Sequence, residues 1–582
     1  MFRPDCSLPY VANLGNLTDD VRDRLAVNAD AVAFARNTDG TWCDVTIGNF
    51  HKQVLDVAKG LIAAGVNPGD RVALLSKTRY EWTVLDFAIL WIGATTVPIY
   101  ETSSADQIGW ILQNSGAVAA IVENAGHIER VHQVRGNAPE LRHLWSIDAG
   151  AVAEISTLGG DIGDDEVEER RTALTSDTVA TLVYTSGTTG RPKGCKLTHG
   201  NFRFELGSAI DVLPELFDED DAATLLFLPL AHVFARIIAF GAIRSGTKLG
   251  HTADVRDLVA HLGEFHPTFI LAVPRVFEKV FNSASQKAYA DGKGKIFDRA
   301  AATAIAYSKA QDSGKPGVAL RAKHAVFDKL VFAKLRDVLG GKVSYAISGG
   351  APLGDRLAHF YRGIGVPVLE GYGLTESTAA LTVNTPSDFR IGTVGKVLGA
   401  TEVRVAGDGE LQFRGDQIFT GYWDNDDATA LVLDSDGWFS TGDLGEVDDD
   451  GFVRITGRKK EILVTAGGKN VVPAVLEDRV RAHPLISQCL VVGDGKPFIA
   501  ALVTIDPESY TGELNSPDLR AEVQKAVDHA NSLVSKAESI RKFQIMPQDW
   551  TEENGYLTPS FKVKRNAIVR DYHDVIEALF TR

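Results

Sequence analysis

The segment YTSGTTGRPKG (residues 184–194) has the composition of an anion cradle. Glycines let backbone N–H groups approach an anion, the hydroxyls of Thr185, Ser186, Thr188 and Thr189 add donors, and Lys193 adds charge. It is not a G-x-x-x-x-G-K-[ST] loop. Gly187 and Gly190 stand too close together, Lys193 follows Pro192, and Gly194 takes the place of the magnesium-binding hydroxyl. An exposed turn could use the same small residues, but such a run followed by Arg-Pro-Lys-Gly favours a phosphate.

Four more stretches carry side chains of related chemistry. In EGYGLTES (370–377), Gly371 and Gly373 flank Tyr372, and Thr375 and Glu376 follow. A ring in a glycine turn can lie flat on a base, and a nearby carboxylate can hold a hard cation. A strand-end turn with a solvated Glu is the plain alternative. STGDLGEV (440–447) offers Asp443, which can cap its own turn or accept from ribose hydroxyls. TGRKKEILVTAGGKNVVP (456–473) sets Arg458, Lys459 and Lys460 beside Glu461, ahead of the Gly467, Gly468 pair. YLTPSFKVKR (556–565) holds Lys562 and Lys564. Strand alternation places both lysines on one face, so periodicity does not choose between them.

These groups must be positioned by a large α/β scaffold. Helical spacing in VLDVAKGLIAAGV (54–66) gives way to the strand-like run RVALL, and DLVAHLGEF precedes PTFILAVP in the same sense. AVAAIVEN and TLVYTS are further β-rich runs. Strands alternating with helices imply parallel sheets covered by helices. FAILWIGATTVPIY (87–100) is too short for a membrane span and contains Gly93 and Pro98, so it reads as a buried helix running into a strand. The acidic stretch DIGDDEVEER (161–170) reads as an exposed loop. From about residue 393 to 457 short strands and turns predict a small β-rich subdomain. Beyond it, AEVQKAVDHANSLVSKAESI (521–540) places Val523, Ala526, Val527, Ala530, Leu533, Val534, Ala537 and Ile540 on one helical stripe, and ISQCLVVGD and FIAALVTI supply strands. The expected fold class is therefore α/β. A large N-terminal domain (1–457) of two helix-covered sheets plus the β-rich subdomain precedes a small α+β C-terminal domain (458–582).

A chain of 582 residues is too long for one core. Its net charge of -16 argues against duplex nucleic acid as the main partner and disfavours general attraction to anionic lipid. Cys6, Cys43, Cys195 and Cys489 form no C-x-x-C pair, which excludes a Cys-rich zinc site or disulfide scaffold and suits a reducing cytosol. The start, MFRPDCSLPY, has no basic region followed by an apolar core, so a cytoplasmic protein is expected.

Taken in order, the five stretches resemble the motifs of the adenylate-forming superfamily: acyl-CoA synthetases, adenylation domains of peptide synthetases and luciferase-like enzymes. The resemblance spans nearly the whole chain. LPLAHVFAR (228–236), AVPRVFEKV (272–280) and AKLRDVLGGKVSYAISGGAPL (333–353) are similar to bacterial, actinobacterial-type long-chain fatty-acid–CoA ligases. The resemblance implies ATP, Mg²⁺ and coenzyme A as partners of a long-chain fatty acid, with no nucleic acid. It leaves open a monomer or homodimer and a peripheral membrane contact.

Residue by residue, it implies that Thr185, Ser186, Gly187, Thr188, Thr189, Gly190 and Lys193 hold the departing β- and γ-phosphates. Glu376 would hold Mg²⁺, Thr375 would contact the α-phosphate, and Tyr372 beside Gly373 would stack on adenine, whose edge meets backbone near Gly349 and Gly350. Asp443 and Arg458 would hold the ribose hydroxyls. His232 would lie near the acyl carboxylate, a buried helix-cap histidine being the alternative. Lys562 aligns with the adenylation lysine, although Phe561 stands where many relatives have glycine. Lys460 would be the pivot of a rotating, mobile C-terminal lid domain that brings Gly467 and Gly468 to the CoA arm. Rival readings are a fatty-acyl-AMP ligase serving a carrier-protein thiol, an aryl or medium-chain acid:CoA ligase, and a nucleotide-binding regulatory module without chemistry.

Overall fold

A computed structural model describes residues 15–38, 40–185, 191–217, 221–254, 256–558 and 562–581. Two large sheets form the first part of the chain. A six-stranded sheet takes the spatial order His143–Ser146, Ala117–Val122, Arg71–Leu75, Thr95–Ile99, Val179–Thr185 and Lys193–Thr198. Its strands are parallel except the last pair, which is antiparallel around the glycine-rich loop. Ala117–Val122 is buried throughout, as expected of a strand covered on both faces.

A nine-stranded sheet has a parallel centre: Val368–Tyr372, Tyr345–Ser348, Phe269–Ala272, Ala223–Leu226, Lys248–His251 and Val32–Thr38. Antiparallel strands close both edges. The helix Tyr80–Trp91 is buried at every position from Trp82 to Trp91 and leads into strand Thr95–Ile99, as its apolar run predicts. In open α/β sheets, ligands gather beyond the carboxyl ends of the strands. His232, Gly349, Gly350 and Gly373 all lie in segments that follow such ends.

The β-rich segment is a four-stranded antiparallel meander, Glu402–Val405, Glu410–Arg414, Phe439–Val447 and Val453–Arg458. The apolar core changes identity just beyond it. Val453 and Ile455 pack with the large cluster, whereas Leu463 and Val471 pack with a second one that runs to Ile545. That second unit is α+β. Ile486–Val492, Ile499–Ile505 and Ile540–Ile545 form its sheet, covered by helices that include Pro473–Arg481 and Pro517–Asn531.

Three local expectations are corrected. The acidic stretch is a helix, Asp164–Thr172, not a loop. Asp164, Asp165 and Glu166 occupy the first turn and Arg170 and Arg171 the last, which suits the helix dipole. Val167 is buried, and Arg171 pairs with Asp19 and Glu168. The C-terminal helix ends at Asn531, so the stripe breaks: Leu533 is exposed, and Ile540 opens a strand whose backbone bonds the Asn531 side chain. Lys562 and Lys564 do not share a strand. Val563 makes a single bridge to Leu557, and Lys564 already caps the helix Arg565–Asp571.

The two large sheets are tied by a buried ion pair. Arg236, on helix Val233–Ser245, donates from one guanidinium nitrogen to both oxygens of Asp86, at 2.7 Å each. Neither side chain is more than 3% exposed, and Trp82, Phe202 and Phe240 surround the guanidinium. Removing one member of such a pair strands the other charge without solvent, which costs about 3–5 kcal/mol. Asp86→Ala is therefore expected to lower the urea midpoint by an amount equivalent to about 3–5 kcal/mol. An unchanged midpoint would show that Arg236 finds another partner or water.

Candidate active site

The glycine-rich loop is pinned at its two ends. Thr185 and Lys193 face each other in the antiparallel pair that flanks it. Arg191 lies over the Trp110 ring at 4.6 Å, and the Trp110 indole donates to the Pro192 carbonyl at 2.8 Å. Ser186, Gly187, Thr188, Thr189 and Gly190 lie outside the described residues.

Lys193 points its ammonium at the face of Tyr422, 4.7 Å from the ring centre. The Tyr422 hydroxyl donates to Glu376 Oε1 at 2.8 Å. Tyr422 therefore links the loop's cation to the candidate metal carboxylate. It lies in the stretch TGYWDN (420–425), which the motif reading passed over. An aromatic pair just after a Thr-Gly turn was the signal available. Its segment is tied to the loop's exit strand by a bridge between Cys195 and Tyr422 and by the bond from Trp423 N to Gly194 O at 2.7 Å.

Thr375 and Glu376 open a single 3₁₀ turn, Thr375–Ser377, directly beyond strand Val368–Tyr372. The turn is tightly built. Ser377 Oγ accepts from Leu374 N at 2.9 Å, and Thr378 Oγ1 donates to Gln417 O at 2.7 Å. Thr378 and Ala379 both hold positive φ, 56° and 115°, a strained conformation for residues with side chains. Gly373 is obligatory here, because a Cβ would lie 1.5 Å from the Ala379 oxygen. Gly349 abuts the Phe234 ring, with 3.1 Å left for a Cβ, and Gly350 has φ of 81°.

Asp443 and Arg458 are direct partners in the meander register. Arg458 Nε donates to Asp443 Oδ1 at 2.8 Å, and the Tyr372 hydroxyl donates to Asp443 Oδ2 at 2.7 Å. Burial first, and then Asp443, push the Tyr372 phenol well above its usual range, so it stays a donor. The turn Lys459–Glu461 follows immediately. Lys459 is held by Asp408 and Glu410, at 2.5 and 3.0 Å, whereas Lys460 is exposed. Gly467 and Gly468 form the tip between the short strands Leu463–Val464 and Asn470–Val471. Gly468 has φ of 76°, and no atom stands within 4 Å of where its Cβ would be.

Lys562 is brought into this cleft from near the other end of the chain. It keeps contact with solvent there, while protein groups surround it at longer range and set its titration. Burial and the Arg458 charge lower its pKa, and Asp443, Glu376 and Glu461 oppose that shift. Lys562, Asp443, Arg458 and Glu376 therefore share one electrostatic neighbourhood.

His232 lies within electrostatic reach of Lys562 and is also the N-cap of helix Val233–Ser245. Its Nδ1 accepts from Phe234 N at 3.1 Å, so the proton sits on Nε2. Both readings of His232 hold together, because the cap fixes the tautomer of a ring beside the cleft. Burial, reinforced by Lys562, lowers its pKa to about 3.

Polar bonds hold the second unit against the first in this arrangement. Arg275 reaches Ser487 Oγ at 3.1 Å, Lys279 pairs with Glu508 at 3.0 Å, and Gln286 bonds Ser509. Among the described residues no group of three His, Cys, Asp or Glu side chains could hold a metal by itself. Glu376 Oε1 is taken by Tyr422, leaving Oε2. One hard oxygen suits Mg²⁺, which is commonly held by one or two carboxylates, substrate phosphates and waters.

With that fold and that cleft, the chain belongs to the AMP-binding enzyme family. The AMP-binding enzyme model matches residues 21–423, and the AMP-binding enzyme C-terminal domain model matches 460–582. Two curated relatives, the long-chain-fatty-acid–CoA ligases FadD15 of Mycobacterium bovis and of Mycobacterium tuberculosis, are each 51% identical over 571 residues, 95% of both chains. Among solved structures, the A domain of carboxylic acid reductase from Segniliparus rugosus, in complex with AMP and a co-purified carboxylic acid, has the same fold. Its TM-score is 0.75 at 22% identity, covering 99% of this chain and 95% of that one.

The His232 shift has a sign that can be checked. Its folded value of about 3 lies below the ordinary 6.5, so the unfolded chain takes up the proton first as pH falls. Its contribution to stability is present above pH 6.5 and is lost between 6.5 and 3. His232→Asn keeps a capping side chain without the titration. Wild type should lose stability relative to this variant when urea midpoints are compared at about pH 7.5 and about pH 4.5. A constant difference would mean that His232 takes up its proton as readily in the folded chain as in the unfolded one.

Proposed function

We infer that this protein is an ATP-dependent long-chain fatty-acid:CoA ligase that works through a fatty acyl-adenylate. The observation that carries the reaction type is that Lys562 lies within electrostatic reach of Glu376, Asp443, Arg458 and His232, with Asp443 and Arg458 directly bonded to each other. The choice of a long-chain acid is supported by the 51% identity to the two mycobacterial ligases over 95% of the chain.

The first half-reaction sets one anion against another. A carboxylate oxygen attacks the α-phosphorus of ATP, the bond to the β-phosphate oxygen breaks, and pyrophosphate leaves. Cations and oriented donors must neutralise the charge that builds up. Lys562 is assigned to bridge the carboxylate and the α-phosphate. The neutral Nε2–H of His232 is assigned to orient the carboxylate, and Thr375 to donate to the α-phosphate. The loop from Thr185 to Lys193 is assigned to hold the departing phosphates. Tyr372 and the Gly349, Gly350 backbone are assigned to adenine, and Asp443 with Arg458 to the ribose. Glu376 would hold Mg²⁺ through its remaining oxygen, and the ion, when bound, supplies charge neutralisation at the phosphate oxygens.

In the second half-reaction the CoA sulfur attacks the acyl carbon and AMP leaves. One pose cannot serve both steps if Lys562 fills the cleft. We assign residues 1–457, including a β-rich subdomain over about 393–457, to the fixed domain and 458–582 to the moving one, with Lys460 as pivot. The placement of Lys460 supports this. Lys459 is anchored to the meander, Lys460 is free of it, and the core changes between Ile455 and Leu463. Rotation would withdraw Lys562 and bring the open tip at Gly467 and Gly468 to the pantetheine arm.

Two variants separate the steps. Lys562→Ala should cut acyl-adenylate formation by about 10²–10³-fold, the scale of losing one oriented charge at a transition state, while sparing thioester formation from preformed acyl-adenylate. Lys460→Pro should impair the thioester step more than adenylation, and equal loss of both would remove the pivot assignment. The function itself is checked by incubating the protein with ATP, palmitate and CoA. Palmitoyl-CoA, AMP and pyrophosphate are expected. AMP and pyrophosphate without acyl-CoA would instead mark a ligase that delivers its acyl group to another thiol.

A further inference from the structure

We propose that the face made by helix Val318–Phe327 and the π-helical turn Asp328–Phe332 docks this protein on the surface of an anionic phospholipid bilayer. The helix contains no buried residue, although it is well anchored. On its inner side, His324 Nε2 donates to the Gly363 carbonyl at 2.6 Å, and the His324 ring stacks on Tyr307 with centroids 3.9 Å apart. Phe327 is half-buried against the core and Phe332 is fully buried. Residues three and four apart share a helix face, so the outward side presents Val318, Ala322, Ala325 and Val326, with Leu330 one turn further on. Val318, Val326 and Leu330 are 73%, 56% and 55% exposed. Large exposed aliphatic side chains clustered in this way on an anchored element mark an interaction surface.

The charge around this stripe identifies the partner. Residues 313–336 contain six Lys or Arg and one Asp, within a chain of net charge -16. The single acid, Asp328, is already paired with Arg336 at 2.7 Å. Among the described residues, Lys315, Arg321, Lys323, Lys329 and Lys334 form no ion pair. The stripe is therefore an aliphatic strip rimmed by uncompensated cations on an otherwise acidic protein. A second copy of the chain meeting it across a two-fold axis would bring the same cations face to face. An anionic headgroup layer neutralises them instead. The aliphatic side chains then reach the acyl boundary, and the lysine stems lie along it. No helix among the described residues is long and apolar enough to cross a membrane, so the contact is peripheral. Binding stands apart from the ligase reading, but a bilayer is also where a long-chain acid partitions.

The test is co-sedimentation of the full chain with vesicles of phosphatidylcholine alone and with about 30 mol% phosphatidylglycerol. Wild type should bind only the anionic vesicles, and at least about tenfold less well when salt rises from about 0.05 M to about 0.5 M. Val326→Glu with Leu330→Glu should abolish binding while leaving the thermal midpoint and turnover of micellar palmitate within about twofold of wild type. Arg321→Gln with Lys323→Gln, which keeps the aliphatic strip, should weaken binding by about tenfold. Three results would each overturn the proposal: no binding by wild type to either vesicle, undiminished binding by the glutamate variant, or a wild-type dimer in sedimentation velocity that the glutamate variant splits. Failure here would leave the palmitate assay unchanged, so the two readings fail separately.

Discussion

Asp443 is the point on which the rest of the site hangs. One of its oxygens holds Arg458, the last residue of the meander, and the other holds the hydroxyl of Tyr372, the last residue of a central strand in the nine-stranded sheet. Two separate sheets are thereby fixed relative to each other at the lip of the cleft. On the proposed domain division the fixed region would end there: Lys459 is still held by Asp408 and Glu410, while among the described residues the Lys460 side chain makes no ion pair. A domain that must rotate needs a rigid last contact just before its free joint. In the proposed rotation the Asp443–Arg458 pair would supply that contact. It also lies within electrostatic reach of Lys562, so the same charges bear on the group that the proposed rotation would withdraw.

The second organising constraint is electrostatic. A cleft that receives several phosphates must be cationic, yet it has to fold without them. Here the cations are held in reserve by groups that do not neutralise them fully. Lys193 rests on the Tyr422 ring instead of a carboxylate, and Tyr422 in turn occupies one oxygen of Glu376. Lys562 is opposed by Arg458 and supported by three carboxylates at longer range. Contacts with an aromatic face are weaker than a buried ion pair. A side chain held in this way can turn to an incoming anion without breaking a strong bond. The buried Arg236–Asp86 pair is the contrast: its strong contacts fix the helix that carries His232 and release nothing.

Much of this was legible in the sequence, and the failures are physical ones. Parallel strands were readable because burial on both faces demands continuous apolar runs. Asp443 and Arg458 were readable as separate motifs, but their pairing depends on register, which no local pattern encodes. Lys562 and Lys564 could not be told apart by alternation, because the segment makes only one bridge at Val563 before turning into a helix. Tyr422 was missed because its importance lies in two contacts more than 40 residues distant in the chain. The helix Asp164–Thr172 was misread because its strong charge hid one buried valine and one buried arginine, which between them anchor it. The stripe through Leu533 and Ile540 was over-extended because apolar spacing alone does not register a side chain such as Asn531 that bonds the backbone of the following strand.

If the glycine-rich loop holds the departing phosphates as proposed, it is a phosphate site that need not carry its own metal ligand. In a G-K-[ST] loop the hydroxyl after the lysine binds magnesium next to the phosphates it cradles. Here Gly194 stands in that place, with only 3.1 Å between a would-be Cβ and the Tyr184 ring, so a serine there would press on that ring. A candidate carboxylate comes instead from beyond a strand of the other large sheet, Glu376, and Tyr422 spans the gap between it and Lys193. Separating the anion cradle from the carboxylate places them on different rigid elements, which suits a reaction that cleaves the nucleotide between its α- and β-phosphates. One element can grip what leaves while the other holds what stays.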